Sequence, residues 1–447
     1  MTTWQRRART LIGLTGLCLG AIVLLTLKDR LSIQEPNESL SLNPDLSFHS
    51  VDSVVTQVTG ERRNLRVEAE QHFAYSDGSS RLDGVRVIVE DESGDQIIIT
   101  SREGQVGQSE HQVEVTGGVI LEASDGFSVH TEQASYDHRA GSVSISGPLT
   151  FSRGQLAGSA VGALYDDQND LLRLSSKSHV TLGRLDFSSD VAVLADTSLS
   201  FSQDVLIQEG DWSTVTQAAY VQYDQAETHV ELVQLREQAR MENLSATPGS
   251  VVMMEAREID LGYDKESLLL NNVILLGNSE IKLAGLTPNA GEHIEAESID
   301  ISLGPDESSV TFLEAREDVE INSTGGDSGS VQQISAGVMT SEGDGARGLT
   351  KMEFMENVEF RSLDLDDGDQ RELVTKADRL EASLAGSLGH MESARFTGHV
   401  RFFHGDTNGV ARLMFYDITA GVVRLRSYGG EGEAPHITDP NVEIEAE

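Results

Sequence analysis

The chain has 447 residues, 38% of them hydrophobic, so it is long enough to bury a sizeable core and is not generically disordered. Its formal net charge is −40, which excludes a nucleic-acid partner, because nucleic-acid binding depends on Lys and Arg side chains that neutralise phosphates. The single cysteine, Cys18, cannot form a disulfide within the chain, so the fold must rely on packing and on sheet hydrogen bonds.

The first 30 residues predict a membrane anchor. Leu11–Leu27 is an uncharged apolar run of 17 residues, a length at the short end for a membrane helix. Residues 28–30 (Lys-Asp-Arg) stand where a signal peptide would carry a small-residue cleavage site, which favours an anchor that is retained. Arg6, Arg7 and Arg9 precede the run, so the positive-inside rule predicts a cytoplasmic N-terminus and an exported remainder.

The stretch after the anchor predicts a tether that leads into a strand-rich body. Residues 31–60 contain Pro36 and Pro44 and no strong period, and Ser53–Val58 is the candidate first strand within them. From Leu65 onward apolar and polar residues alternate with the period of a half-buried strand. Tyr220–Met241 is rich in Glu, Gln and Arg, as a helix would be, but it carries the repeat marker described below and is assigned to the strands.

Short Gly-containing sequences between the strands predict turns, because Gly supplies the positive φ that a hairpin turn needs. We expect hairpin turns at residues 116–118 (Thr-Gly-Gly) and 139–141 (Arg-Ala-Gly), and Gly147 is expected to separate one strand from the next. The alternation gives each strand one apolar face. The interior residues predicted in this way are Val85, Val87, Val89, Ile97, Ile99, Val113, Val115, Val119, Leu121, Phe127, Val129, Val143 and Ile145.

A recurring Tyr-Asp pair marks an internal repeat. Its tyrosines lie at spacings that are mostly multiples of about 30–40 residues, the range of repeat architectures. They are Tyr136, Tyr165, Tyr223, Tyr263 and Tyr416. A repeat this short cannot bury a core alone and must stack on its neighbours. The sequence therefore predicts an all-β fold, an elongated β-sandwich or open jelly roll.

The order of four segments behind an N-terminal anchor resembles the LptC family. The segments are AEQHFAYSDGSSRLDGVRV from Ala69, VEVTGGVIL from Val113, DGFSVHTEQASYD from Asp125 and GPLTFSRGQLAGSAVGALYD from Gly147. The resemblance is strongest over residues 1–185 and continues more weakly, in the manner of LptA-type repeats, to about Ser427. It divides the chain into a tail and transmembrane anchor (1–30), a tether (31–60), an LptC-like jelly roll (61–185), further OstA/LptA-like repeats (186–427) and an acidic C-terminal tail (428–447).

The resemblance implies both a fold and a function. LptC, LptA and the N-terminal domain of LptD share the OstA-like β-jelly roll. The implied protein is a single-pass inner-membrane component of the lipopolysaccharide export ABC transporter, with most of its chain in the periplasm. It would bind lipopolysaccharide on the thirteen interior residues named above, contact LptF/LptG-like transporter subunits, and pass lipid along a β-bridge to an LptA-like or LptD-like jelly roll paired edge to edge. The interior would shelter acyl chains, each buried methylene contributing about 0.8 kcal/mol.

Two other interpretations remain open from the residues alone. Apolar strand faces usually form a packed core, so a structural or adhesive β-solenoid of the cell envelope is the main alternative. An enzyme is a more distant one: His399 and His404 have no metal-site spacing, Asp364–Asp369 lacks the ligand order of a calcium loop, and residues 325–330 lack the strand-to-helix setting of a phosphate loop. No catalytic residue, metal site or cofactor is predicted.

Overall fold

The structure is a computed structural model. It describes residues 46–58, 64–90, 96–106, 112–123, 126–137, 142–166, 171–195, 197–224, 229–248, 250–285, 291–324, 331–344, 348–363, 372–384, 391–426 and 436–438. Within these ranges no helix is long and apolar enough to cross a membrane. The predicted anchor at Leu11–Leu27, the glycine-rich residues 325–330 and the acidic Asp364–Asp369 lie outside them.

The described chain is built from antiparallel strands and turns, so the all-β prediction is confirmed. The strands are β1 (Leu46–Val58), β2 (Asn64–Tyr75), β3 (Ser80–Glu90), β4 (Gln96–Val106), β5 (Gln112–Ala123), β6 (Ser128–Asp137), β7 (Ser142–Arg153), β8 (Leu156–Asp166), β9 (Leu171–Leu174), β10 (Ser178–Leu182), β11 (Leu185–Ser189), β12 (Val191–Leu194), β13 (Ser198–Glu209), β14 (Trp212–Tyr223), β15 (Val230–Asn243), β16 (Val251–Tyr263), β17 (Leu270–Ala284), β18 (Gly291–Leu303), β19 (Val310–Thr324), β20 (Val331–Asp344), β21 (Gly348–Leu363), β22 (Glu372–Leu384), β23 (Met391–His404), β24 (Thr407–Asp417), β25 (Val422–Arg426) and β26 (His436–Thr438). Tyr220–Met241 accordingly lies in β14 and β15.

The chain divides into two compact units. Unit 1 comprises Met1–Ile207 and Tyr220–Val230, and unit 2 comprises Gln208–Ala219 and Glu231–Glu447. The predicted limit between residues 185 and 186 falls within β11, in unit 1. β1 covers the second half of the stretch predicted to be a tether.

Two-residue hairpin turns recur where the sequence places Gly before a polar residue. Gly154, Gly183 and Gly405 have φ of 55°, 60° and 58°, and each is the first residue of its turn. The flanking pairs are Arg153 with Leu156, Leu182 with Leu185 and His404 with Thr407. A positive φ at the first central position alone is typical of the type II′ turn, whose twist matches that of paired strands.

One predicted hairpin turn and one predicted strand boundary are instead irregularities inside strands, and the hairpin turn predicted at residues 139–141 lies outside the described residues. Gly117 and Gly118 lie within β5, where the register against β6 shifts between Thr116 and Val119. Gly147 lies within β7, where the register shifts between Ile145 and Pro148. The prediction was wrong because a β-bulge and a hairpin turn need the same local chemistry, a residue that accepts positive φ or a Pro that cannot continue the ladder.

Such bulges recur along the chain as pairs of residues with positive φ. Besides Gly117-Gly118 they are Gln203-Asp204, Glu237-Gln238, Gly277-Asn278, Glu317-Asp318, Glu356-Asn357 and Gly398-His399. The residue after each pair points into the core, with at most 1% of its surface exposed: Val119, Val205, Ala239, Ser279, Val319, Val358 and Val400. In unit 2 the pairs follow one another at intervals of about 40 residues, one for every two strands, the period of a repeat array.

The Tyr-Asp marker closes a strand and caps the turn after it. Tyr263 is the last residue of β16, and its hydroxyl donates to Glu209 Oε2 at 2.8 Å. Asp264 Oδ1 accepts hydrogen bonds from the backbone N–H groups of Glu266 and Ser267 at 3.1 and 2.8 Å, and these bonds hold the pKa of Asp264 below its ordinary value. The pair is thus a turn device, in which a short carboxylate satisfies backbone donors that the strand leaves free.

Replacing Asp264 with Ala is therefore expected to speed hydrogen exchange at the Glu266 and Ser267 amides, because both lose their acceptor. Exchange resolved by residue checks this, with Asp264→Asn as the matched control that keeps an Oδ1 acceptor. Unchanged exchange in the Ala variant would show that the turn does not depend on this side chain.

The core of unit 2 is made of aligned apolar rows across neighbouring strands. Ile281, Ile294, Ile321 and Ile334 are successive partners in β17 to β20, and each is at most 3% exposed. The outer face carries charge pairs instead, such as Arg236 with Asp260 at 2.6 Å. This division gives β15 to β24 one buried and one exposed face each, as the alternation predicted.

Candidate functional site

The candidate site is the apolar face of the strands in unit 1. Backbone register brings four of the predicted residues into one row across β3 to β6: Val87 opposite Ile99, Ile99 opposite Leu121, and Leu121 opposite Val129. Val89 lies opposite Ile97 in the next row. In the backbone register, Val113 of β5 and Val143 of β7 both lie opposite Tyr136 of β6. The register therefore collects residues that are up to about 40 positions apart in the chain onto one surface.

Burial differs among the predicted side chains. Val85, Val115, Val119, Val129 and Ile145 are 1–7% exposed. Leu121, Phe127 and Val143 are half-buried. The side chains of Val87, Val89, Ile97, Ile99 and Val113 lie outside the described part of the structure.

Sequence reasoning missed the second half of β7. Leu149 and Phe151 are each 3% exposed and point to the same interior as Ile145, because the strand continues through the bulge at Gly147-Pro148. The signal available was the alternation of residues 149, 151 and 153, which resumes after the Pro. It could not show that both halves belong to one strand.

Phe151 fills the interior by covering a glycine on the next strand. Gly158 is its partner in β8, and a Cβ atom at Gly158 would lie 2.5 Å from Phe151 Cζ. The row therefore continues from Leu121 and Val129 to Phe151 and then over Gly158 to Val180 in β10. An aromatic ring that lies over a strand glycine replaces the side chain that the glycine lacks.

A hollow opens beside this surface, where β5 to β8 bend. Its volume is about 530 Å³, within the range of sites that hold small ligands or parts of larger ones. Val119, Leu149, Ala160 and Val161 give it an apolar lining, and the exposed side chain of Lys177 stands at its border. Thr131, which also lines it, is satisfied internally by donating to the Pro148 carbonyl at 3.1 Å.

One titratable group lies in the interior near β1. His72 is 6% exposed, its Nε2 has no hydrogen-bond partner, and burial lowers its pKa. Its neighbours are Phe48, at 5.8 Å between ring centroids in an edge-to-face arrangement, and Leu82 on β3. A neutral imidazole packed against an aromatic ring is a core residue, so the interior face keeps its apolar character here.

Within the described ranges no group of three or more His, Cys, Asp or Glu side chains is arranged to hold a metal ion. His399 is 90% exposed and pairs with Asp378 at 2.7 Å, while His404 ends β23. What the arrangement offers chemically is an apolar interior with a polar exterior, suited to amphiphiles.

Comparison with known proteins adds a family assignment for the first part of the chain. Residues 15–182 match the family model of lipopolysaccharide-assembly, LptC-related proteins, so the predicted resemblance to LptC is confirmed over this part. None of the curated proteins matches the chain. A solved structure similar to it is LptH of Pseudomonas aeruginosa, described as the LptA-homologous periplasmic component of the lipopolysaccharide transport device. The identity is 10%, over 33% of this chain and 92% of LptH, with a TM-score of 0.25. At that TM-score the likeness adds no weight to the assignment.

Proposed function

We propose that this chain, whose residues 15–182 carry an LptC-related domain, is a lipopolysaccharide transport component that binds lipid on the apolar interior of unit 1. The observation that carries the proposal is the row from Leu121 through Val129 to Phe151, which continues across four or more strands without a charged residue. Such a row offers acyl chains a continuous apolar track, each buried methylene contributing about 0.8 kcal/mol.

The finer parts of the proposal follow from the family and from the sequence. The apolar Leu11–Leu27 would anchor the chain in the inner membrane beside LptF/LptG-like subunits of the ABC transporter, with the strands in the periplasm. An LptA-like or LptD-like partner would pair with an edge strand, because an unpaired strand edge is a template for another sheet. The protein would relay lipid without catalysis.

Close packing in unit 2 and in the part of unit 1 that follows β8 supports a second role for these parts of the chain. Val273, Leu275 and Phe354 in unit 2 are fully buried, and so are Val180 and Phe187 in unit 1, as in an ordinary protein core. A dry core of this kind favours a structural, solenoid-like extension, the alternative interpretation of the sequence. The two roles are compatible if lipid binds inside unit 1 and unit 2 supports or positions it.

Photocrosslinking in cells tests the proposed function. A photoreactive residue at Val115, Val129 or Ile145 is expected to give adducts with lipopolysaccharide, because these side chains face the interior. Glu114 is the matched control, since it is the exposed neighbour of Val115 on the same strand. Adducts should depend on ATP hydrolysis by the transporter.

An absence of adducts at the interior positions would contradict the proposed function. If folded, anchored protein gives no adducts at any interior position, or equal adducts at Glu114, the interior of unit 1 is not a lipid path. The structural role would then be the better account of the whole chain.

A further inference from the structure

The last strands of unit 2 carry unpaired positive charge on their outer face. Residues 391–426 contain five arginines and three carboxylates, although the whole chain has 33 Lys and Arg against 73 Asp and Glu. Arg240 and Arg379, earlier in unit 2, pair with glutamates at 3.0 and 2.9 Å. Arg401 and Arg426 are exposed, and neither has a carboxylate partner within the described ranges. The outer face at this end therefore attracts an acidic group.

This face ends at a strand edge that no described strand covers. β26 pairs with β24, and the opposite residues are Thr438 with Asn408, Ile437 with Gly409, and His436 with Val410. β25 pairs with the other half of β24, opposite residues 413–417. Within the described ranges β26 has no partner other than β24. An unpaired edge of this kind is a template for a further strand.

Backbone register assigns the two faces of this edge, because opposite residues of an antiparallel pair point to the same side. Gly409 lies opposite the buried Phe402, so position 437 belongs to the core-facing row. Val410 lies opposite the exposed Arg401, so position 436 belongs to an outer row. A strand added beside β26 therefore has to place an apolar residue opposite position 437 and a polar residue opposite position 436.

The sequence that follows β26 meets this requirement. Residues 439–447 read Asp-Pro-Asn-Val-Glu-Ile-Glu-Ala-Glu. Asp at the first position and Pro at the second are favoured in a type I turn, so residues 439–442 have turn chemistry. From Val442 onward apolar residues alternate with Glu, the period of a strand with one apolar face. A turn over residues 439–442 puts Glu443 opposite position 438, Ile444 opposite 437 and Glu445 opposite 436.

Charge favours the same register. Glu447 would stand level with residue 412 of β24 and on the outer face, as Glu443 and Glu445 do. Arg426 of β25 lies opposite Leu413, and it points outward because its neighbour Leu425 lies opposite the buried Met414. Glu447 and Arg426 would then be about one strand spacing apart, roughly 5 Å. A register shifted by one residue would turn all three glutamates toward the core.

We propose that residues 443–447 pair with β26 as a further strand and close this edge of unit 2. The occupant of the edge is a segment of the same chain, which the turn at residues 439–442 tethers to β26, so its effective concentration there is high. Another sheet that pairs with this end has to displace the segment first. That consequence rests on the proposed function, whereas the pairing itself does not.

Disulfide trapping in the full chain tests the pairing and its register. Cys18 is replaced by Ser, and cysteines are introduced in the variant H436C/E445C at two positions that the register places opposite each other. This pair is expected to oxidise about tenfold faster than the matched control H436C/I444C, because a shift of one residue puts the second sulfur on the other face of the sheet. Mass spectrometry after alkylation measures the disulfide formed within one chain.

Charge reversal tests the contact with Arg426. In H436C/E445C, Arg426→Glu is expected to slow trapping about threefold, the effect of losing an exposed ion pair, and Glu447→Arg in the same chain should restore the rate. Arg316→Glu is the matched control, because Arg316 is an exposed cation of unit 2 that pairs with Glu314 at 2.8 Å.

Four outcomes decide the proposal. Fast trapping of H436C/E445C within one chain, with rescue by Glu447→Arg, supports it. Equal trapping of both cysteine pairs overturns it, since the segment would then have no fixed register. Disulfides between two chains overturn it and assign the edge to a second copy. Equal rates in Arg426→Glu and Arg316→Glu also overturn it, because the register puts Glu447 beside Arg426. Interior adducts at Val115 report on the lipid path separately.

Discussion

Replacing Glu292 with Gln is expected to stabilise unit 2 at pH 8 by about 4 kcal/mol and to leave it nearly unchanged at pH 4.5. Glu292 lies in β18 and is 5% exposed, and its carboxyl group has no hydrogen bond or ion pair with a described residue. Burial raises its pKa to about 8 from an ordinary value of 4.5. The native state therefore keeps a proton that the unfolded state loses between these pH values.

The direction in which stability changes with pH follows from proton binding at Glu292. Between pH 4.5 and 8 the folded protein binds more protons at Glu292 than the unfolded chain does, so the free energy of unfolding falls as pH rises. The loss is about 1.4 kcal/mol for each pH unit and levels off above pH 8. Gln cannot ionise, so the variant should lose this slope.

Urea unfolding followed by Trp212 fluorescence measures the effect, because Trp212 is a buried residue of unit 2. Trp4 is replaced by Phe in all samples, so that Trp212 is the one remaining tryptophan of the chain. Glu295→Gln serves as the control, since Glu295 is on the same strand but its side chain is 51% exposed. An unchanged pH slope in the Glu292 variant would mean that this carboxyl ionises normally in the folded state.

Replacing Gly409 with Ala is expected to destabilise unit 2 by about 2–3 kcal/mol, the cost of overpacking a well-filled core. Gly409 lies opposite Phe402 in β23 and β24, and a Cβ atom there would lie 2.0 Å from Phe402 Cε1. Phe402 is 6% exposed, so its ring has little room to move. The nearest atoms to the added methyl group all belong to this one ring.

A double-mutant cycle separates the clash from other effects. Phe402→Leu costs stability alone, but in the Leu background Gly409→Ala should cost much less, because the ring it collides with is absent. Gly262→Ala is the matched control in unit 2, since its added Cβ would meet Asn272 at an ordinary 3.6 Å. Additive effects in the cycle would show that the ring and the glycine are not coupled.

Much of the architecture could be predicted because strand periodicity is a local property. Val85, Val115, Val119, Val129 and Ile145 were assigned to the interior from alternation alone, and all five are buried. The family resemblance rested on the order of several segments, and the family match ends at residue 182. The lipid-binding role of the thirteen interior residues stays a prediction.

Pairing between strands could not be predicted from the same signal. Whether Gly117-Gly118 forms a hairpin turn or a bulge within β5 depends on which residue of a neighbouring strand pairs with Val119. That pairing is set by the tertiary structure and not by the local sequence. A hollow on β21 to β24 was missed for a related reason. Its lining residues Lys351, Ser383 and Phe415 are separated by at least 32 positions, and only the register of the four strands brings them together.

The pairs of residues with positive φ divide unit 2 into modules of nearly equal length. Each pair, from Glu237-Gln238 to Gly398-His399, belongs to a module of about 40 residues that brings its own bend, its own buried anchor and its own two strands. A module copied or deleted as a whole would leave the pairing rules of its neighbours intact, so evolution can change the length of the unit in steps of two strands, about 10 Å. A duplicated segment that did not comprise whole modules would shift the alternation and turn charged side chains toward the core. The spacing of the pairs thus marks the positions at which the chain can be lengthened.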